Sequence, residues 1–187
     1  MKKKIALIAT CVVLVAAIAV GGTLAWFTDS KEVANTVTFG NVKIALTEPT
    51  YPGNDNEGKI TDVVPGSKIT KDPTIENIGT NDCWVRAKLE VTVPESAGNV
   101  VPTYNIDTTK WALGEDGYYY YKNQLVSKDK AILFDEVTIP SAWGNDTAGK
   151  DVKIIVKAEA MQIQDKNNGN EANNAALWQG VTAEKAV

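Results

Sequence analysis

The sequence predicts an all-β sandwich of antiparallel sheets with at most short helices, preceded by an N-terminal signal peptide. Apolar side chains after residue 25 recur with a period of two rather than the 3.6 of a helix. The alternating runs are short, and turn residues separate them at 52–54, 65–66, 115–117 and 144–146. Many short alternating runs punctuated by turns are typical of a β-sandwich.

The first element is the signal peptide, over residues 1–25. Three lysines precede a long apolar run, and the small residues Thr23 and Ala25 follow it. This order predicts cleavage between Ala25 and Trp26, so we expect contact with the membrane only before cleavage. The alternative is an uncleaved anchor, because the apolar run is just long enough to span a bilayer.

The second element is an N-terminal strand over residues 26–40. Its apolar residues share one phase of alternation: Val33, Val37 and Phe39. From Val42 onward the apolar residues share the opposite phase, and the slip falls at Gly40-Asn41, a pair that tolerates a bulge or a hinge. The pattern fits one bulged strand within a sheet. A second interpretation is a detachable strand that pivots at Gly40 and pairs with the sheet edge of another subunit.

The third element is the sandwich domain, over residues 41–187. The clearest strand is 85–93, and a second is 152–163, where Ile155, Met161 and Ile163 interrupt the polar face. We therefore expect the second strand to be central and covered on both sides over part of its length. Shorter strands are predicted around Ile69, Ile75, 118–121 and 132–139. A short helix over 171–178 is expected to pack on a sheet edge.

Composition excludes several classes of function. The chain contains no histidine, which removes Ser-His-Asp and Cys-His catalysis and every imidazole-ligated metal site. We therefore predict no enzymatic activity, no cofactor and no metal site. A formal charge of −4, made more negative by loss of the leading lysines, argues against nucleic acid as a partner.

Each polar or aromatic cluster that resembles a ligand site also has an ordinary structural interpretation. The acidic loops 55–58 and 165–171 lack the spacing of a calcium-binding EF-hand and consist of ordinary turn residues. The tyrosine run 118–121 with Trp111 fits a carbohydrate platform. It also fits strand packing, with two tyrosines in the core and two outside. A glycosidase pair of carboxylates cannot be recognised by spacing alone.

Two single residues have predicted structural roles. Cys83, at the start of a strand and without a neighbouring base, is expected to be a small apolar or partly buried thiol. Arg86 is the only arginine in the chain. Because a guanidinium is always charged, we expect it to form a structural salt bridge, with Glu76 or Glu159.

Several segments, in their order along the chain, resemble the TasA/camelysin (CalY) family. The matching segments are 23–29, 35–44, 64–67, 75–79, 84–86, 158–162 and 176–178. Members of this family are secreted biofilm-matrix proteins of Gram-positive bacteria, processed by a SipW-type signal peptidase.

The resemblance implies a jelly-roll sandwich, secretion to the extracellular matrix or cell surface, and growth of fibres by donor-strand exchange. It also implies three kinds of partner: further copies of the chain, a SipW-type signal peptidase and an accessory matrix protein. Two alternatives are a camelysin-like protease and a monomeric surface-binding module. The lack of histidine argues against the protease. No sequence motif typical of ligand binding supports the binding module.

Overall fold

The computed structural model describes residues 40–54, 57–163 and 173–187. The predicted signal peptide, the cleavage site and residues 26–39 lie outside these ranges, as does the acidic loop 165–171. The described residues form eleven strands and short 3-10 helices, and each strand pair is antiparallel. The predicted all-β sandwich is confirmed. Among these residues, no helix has the length and apolar character of a membrane span.

The strands form one large sheet and two small ones. The large sheet has the order β11 (Glu184–Lys185), β10 (Lys153–Gln162), β4 (Cys83–Thr92), β7 (Tyr118–Tyr121) and β6 (Trp111–Leu113). One small sheet has the order β1 (Ile44–Thr47), β3 (Thr74–Asn77) and β8 (Lys130–Ile132). The other has the order β2 (Lys68–Thr70), β9 (Glu136–Thr138) and β5 (Thr103–Tyr104). Short 3-10 helices lie at Glu95–Ala97, Asn145–Thr147 and Ala175–Trp178.

The main core lies between the large sheet and the small ones. It takes buried apolar residues from all three sheets, among them Ile44, Ile75, Val85, Val137 and Ala160. The two predicted long strands form its centre, because β4 and β10 pair over ten residues from Cys83 to Thr92. Alternation places one apolar face of each strand in this core, as the sequence predicted.

A second apolar cluster covers part of the outer face of the large sheet. It contains Trp84, Tyr120, Met161, Ile163 and Trp178. The expectation that β10 is covered on both sides over part of its length is therefore confirmed. Ile155, near the other end of β10, stays 40% exposed, so the outer cover reaches only one half of the strand.

The outer cluster changes two expectations. Tyr119 and Tyr121 pack against the main core, as alternation predicts, but Tyr120 on the opposite face is only 2% exposed. The short helix Ala175–Trp178 lies on this outer face rather than at a sheet edge, because Trp178 packs against Tyr120. The expected helix is thus a single 3-10 turn, capped by the side chain of Asn174, which accepts a hydrogen bond from Ala176 N.

Two junctions connect the large sheet to the sheet that contains β1. At one side, the residues after β11 bond to both sheets: Ala186 N donates to Ala158 O, and Val187 N donates to Ile44 O. At the other side, Trp111 Nε1 donates to Ile132 O at 2.8 Å. The first junction lies beside the point at which the described chain begins.

Candidate functional site

The described chain begins in a backbone clamp. Successive main-chain N–H groups of residues 78–81 donate in pairs, two to the carbonyl of Lys43 and two to the carbonyl of Asn41, with N···O distances of 2.9–3.1 Å. The Thr80 hydroxyl also accepts from Asn41 N at 3.0 Å. We call residues 78–81 the N-terminal clamp, since they hold Asn41 and Lys43, close to the first residue that the structure describes.

Asn77 gives the clamp its shape. Its side chain is fully buried, and Nδ2 donates to Asn81 O and to Leu125 O, both at 2.9 Å. Its Oδ1 accepts from Gly79 N at 3.0 Å. Buried polar groups are stable when each has a partner, so this one side chain holds the loop closed at both ends.

Two glycines allow the chain segments to approach. A Cβ at Gly79 would lie 2.6 Å from Asn41 O and 2.7 Å from Lys43 N, distances that backbone atoms do not tolerate. A Cβ at Gly40 would overlap the Asn81 side chain. Of the predicted pivot pair, Asn41 is therefore clamped, and only Gly40 is left to act as the predicted pivot.

The clamped segment borders an open cleft of about 340 Å³. Its lining consists of Gly40–Val42, the end of β10 at Ala160–Gln162, and Thr182 and Glu184 near β11. The cleft therefore joins the start of the described chain to the outer edge of the large sheet.

Most of the predicted site residues lie outside the described ranges. These are the cleavage residues Ala25 and Trp26 and the assembly-strand residues Val33, Val37 and Phe39, whose roles stay predictions. Gly40, the remaining one, is exposed at the rim of the cleft.

A second group of interacting side chains, polar and aromatic, surrounds Arg86 on the outer face of the large sheet. Arg86 Nε and Nη2 donate to Glu159 Oε2 at 2.8 and 2.7 Å, which confirms one of the two predicted salt bridges. The guanidinium lies 4.0 Å from the ring centroid of Tyr118 and 4.3 Å from that of Trp178. Such stacking suits a planar cation. The other candidate partner, Glu76, pairs with Lys130 instead.

The same cluster shifts the pKa of neighbouring groups. Burial, followed by the hydrogen bond that its hydroxyl donates to Asp116 Oδ2 at 2.6 Å, raises the pKa of Tyr120. Burial alone would lower the pKa of Arg86, but its hydrogen bonds with Glu159 and Tyr120 raise it above the usual value. The groups are paired with one another, which is the arrangement of a structural ion-pair network.

Asn173 fastens the short helix to the sheet, a role that the sequence analysis missed. Its Nδ2 donates to Val85 O at 2.6 Å, and its Oδ1 accepts from Trp178 Nε1 at 2.6 Å. Asn173 is only 3% exposed. A single asparagine in a polar, asparagine-rich stretch gives no sequence signal for such a role.

Cys83 is fully buried, so the thiol is covered more completely than the partly buried thiol that the sequence suggested. Burial, with a smaller contribution from Asp82, raises the pKa of its thiol to about 12. A thiol in this state is neutral at physiological pH and is not a nucleophile.

The fold and these contacts define an all-β sandwich protein whose described residues carry an N-terminal clamp and structural ion pairs. A family model for the camelysin metallo-endopeptidases matches residues 1–99, more than half of the 187-residue chain. The chain therefore belongs to the camelysin family, which confirms the resemblance seen in the sequence. The family is a secreted or cell-surface one. No curated protein matches the chain.

The family description implies a metal ion, and the described residues do not fit one. They contain no group of three or more His, Cys, Asp or Glu side chains that could hold a metal. The full sequence also lacks the histidines that zinc peptidases use as ligands.

Proposed function

We propose that the protein is a structural component of the extracellular biofilm matrix. It assembles into fibres when residues 26–40 of one copy add as a strand to a sheet of the next. The observation that carries the proposal is the N-terminal clamp, which holds Asn41 and Lys43 by four main-chain hydrogen bonds. A strand that links one subunit to the next must be held firmly at the point where it joins its own domain.

The apolar pattern before the clamp supplies the anchors for strand addition. Val33, Val37 and Phe39 share one face of an extended segment, and such side chains fill positions that a recipient sheet leaves open. Burial of each Val or Phe side chain contributes roughly 1.5–3 kcal/mol. Assembly is therefore expected to depend on protein concentration.

Secretion and processing complete the proposal. A SipW-type signal peptidase removes residues 1–25, further copies of the chain are the main partners, and an accessory matrix protein is an additional one. The acidic composition suits a protein that stays dispersed until it assembles.

The test compares the secreted protein with a form that begins at Asn41. Electron microscopy and sedimentation should show fibres for the first and folded monomers for the second. Val37→Asp and Phe39→Asp should block fibres without a change in circular dichroism. Thr38→Asp is the matched control, because it places the same charge on the opposite face of the strand. Equal polymerisation of the form that begins at Asn41 would refute the proposal.

We further propose that the protein has no hydrolytic activity, in contrast to the description of its family. The support is the lack of histidine in the sequence together with the lack of a ligand cluster among the described residues. Purified protein should not cleave casein or a panel of glycosides, with or without added zinc. Turnover that copurifies with the protein and is lost in a carboxylate variant would contradict this.

A further inference from the structure

The outer edge of β10 is only partly paired within the described residues. β4 pairs with all ten residues of β10, whereas β11 pairs only with Glu159 and Ala160 on the other side. Ala186 N adds one bond, to Ala158 O at 3.1 Å. In the described part of the chain, residues 153–157 have no strand on this side.

The unpaired half of β10 also leaves apolar side chains incompletely covered. Ala158 and Ala160, beside β11, are 3% and 0% exposed. Ile154 and Val156 point to the same core face but remain partly exposed. An additional strand along this edge would bury both side chains and satisfy the main-chain groups that face it.

The segment 184–187 is held at this edge by few contacts. Glu184, Lys185 and Val187 are exposed, and only Ala186 packs against the main core. The two bonds between Val187 and β1, to Ile44 O and from Leu46 N, have N···O distances of 3.2 and 3.3 Å.

We propose that the outer edge of β10 accepts the N-terminal segment of a second copy, and that residues 184–187 occupy part of this edge until the incoming strand displaces them. The inference rests on the proposed function, which supplies the incoming strand. Residues 184–187 have one small apolar anchor, Ala186. The incoming segment that would replace them has three: Val33, Val37 and Phe39.

Length and position support this occupant. Residues 26–39 in extended form span about 46 Å, and β10 spans about 33 Å, at roughly 3.3 Å per residue. The cleft beside Ala160–Gln162 continues the same edge past β11, so the acceptor surface is longer than the portion that residues 184–187 cover.

A proline in β10 tests the acceptor edge. The carbonyl of Ala158 faces residues 184–187, so alternation directs the main-chain N–H of Val156 to the same side and away from β4. Val156→Pro removes this donor and leaves the bonds to β4 in place. We expect it to stop fibre growth, whereas Val156→Ala, which shortens the same side chain but keeps the N–H, should still form fibres.

A mixture of two defective variants identifies the occupant. Val156→Pro keeps its N-terminal segment but has a blocked edge, and Phe39→Asp has the reverse defect. Analytical ultracentrifugation should show that neither variant polymerises alone and that the mixture forms 1:1 heterodimers. A mixture that stays monomeric would show that the edge pairs with its own chain or with nothing, and would overturn the inference.

A second proline tests displacement. Ala186→Pro removes the bond to Ala158 O, and the initial rate of fibre growth should rise about fivefold, the equivalent of one main-chain hydrogen bond. Lys185→Pro is the control, because the N–H of Lys185 points away from β10. An unchanged or lower rate for Ala186→Pro with native circular dichroism would overturn the displacement step.

The failure of the inference and that of the proposed function give different results. Fibres from both the unaltered protein and Val156→Pro would refute the acceptor edge and leave strand donation standing. The absence of fibres from the unaltered protein would refute the proposed function itself.

Discussion

Burial determines what the thiol of Cys83 can do. The side chain is fully buried and its pKa is raised to about 12, so on the order of one thiol in ten thousand is ionised at pH 8. We expect the secreted protein to resist Ellman's reagent under native conditions and to react fully in guanidinium chloride. Native labelling at the rate of free cysteine would contradict the buried state.

Arg86 and Glu159 allow a prediction about a mostly buried ion pair. Both side chains are 16% exposed. Glu159→Gln should lower the free energy of unfolding by about 2–3 kcal/mol, less than for a fully buried pair because Asp116 also lies 4.0 Å from Arg86. Urea unfolding measures this change.

The control for this prediction is a salt bridge at the surface. Glu90 pairs with Lys157, and their side chains are 44% and 57% exposed. Glu90→Gln should cost less than about 1 kcal/mol, because water screens exposed pairs. Equal costs for the two substitutions would show that burial does not determine the stability of the Arg86 pair.

At the scale of elements, the N-terminal clamp depends on one close backbone approach. Gly79→Ala should destabilise the protein by about 1–3 kcal/mol, since the new Cβ meets backbone atoms of Asn41 and Lys43 that cannot rotate away. Amide hydrogen exchange should also become faster in residues 78–81.

Gly144→Ala is the matched control for this substitution. The new Cβ there meets only the Asp146 carboxylate at 3.2 Å, and that side chain can rotate. Its effect on stability and on exchange in residues 78–81 should be small. Similar exchange rates for Gly79→Ala and the unaltered protein would contradict the role of the clamp.

Strand length explains which elements the sequence revealed. β4 and β10 have ten residues each, so their alternation is unambiguous. β5 has two residues and β6 has three, too few to establish a period. The sequence analysis also did not predict the clamp. Asn77, which orders it, donates a hydrogen bond to the carbonyl of Leu125, a residue 48 positions further along the chain. Contacts between distant polar residues leave no local pattern.

At the scale of the whole molecule, the location of the protein depends on how its N-terminus is processed. The apolar run ends in Thr23 and Ala25, so we expect the secreted protein to begin with Trp26. N-terminal sequencing of protein from the culture medium tests this. Recovery only from membranes, with Lys2 still present, would indicate the uncleaved anchor.

The N-terminal clamp has a mechanical consequence for the proposed fibre. In the proposed fibre, tension would enter each subunit through Gly40 and reach β1 at Ile44; the component that matters here is the one along the axis of β1. The hydrogen bonds at Asn41 and Lys43, and those between β1 and β3, lie roughly perpendicular to that axis. That component of the tension loads these bonds together in shear rather than opening them one by one, so the attachment of the N-terminal strand is expected to resist pulling more strongly than bonds that open in succession.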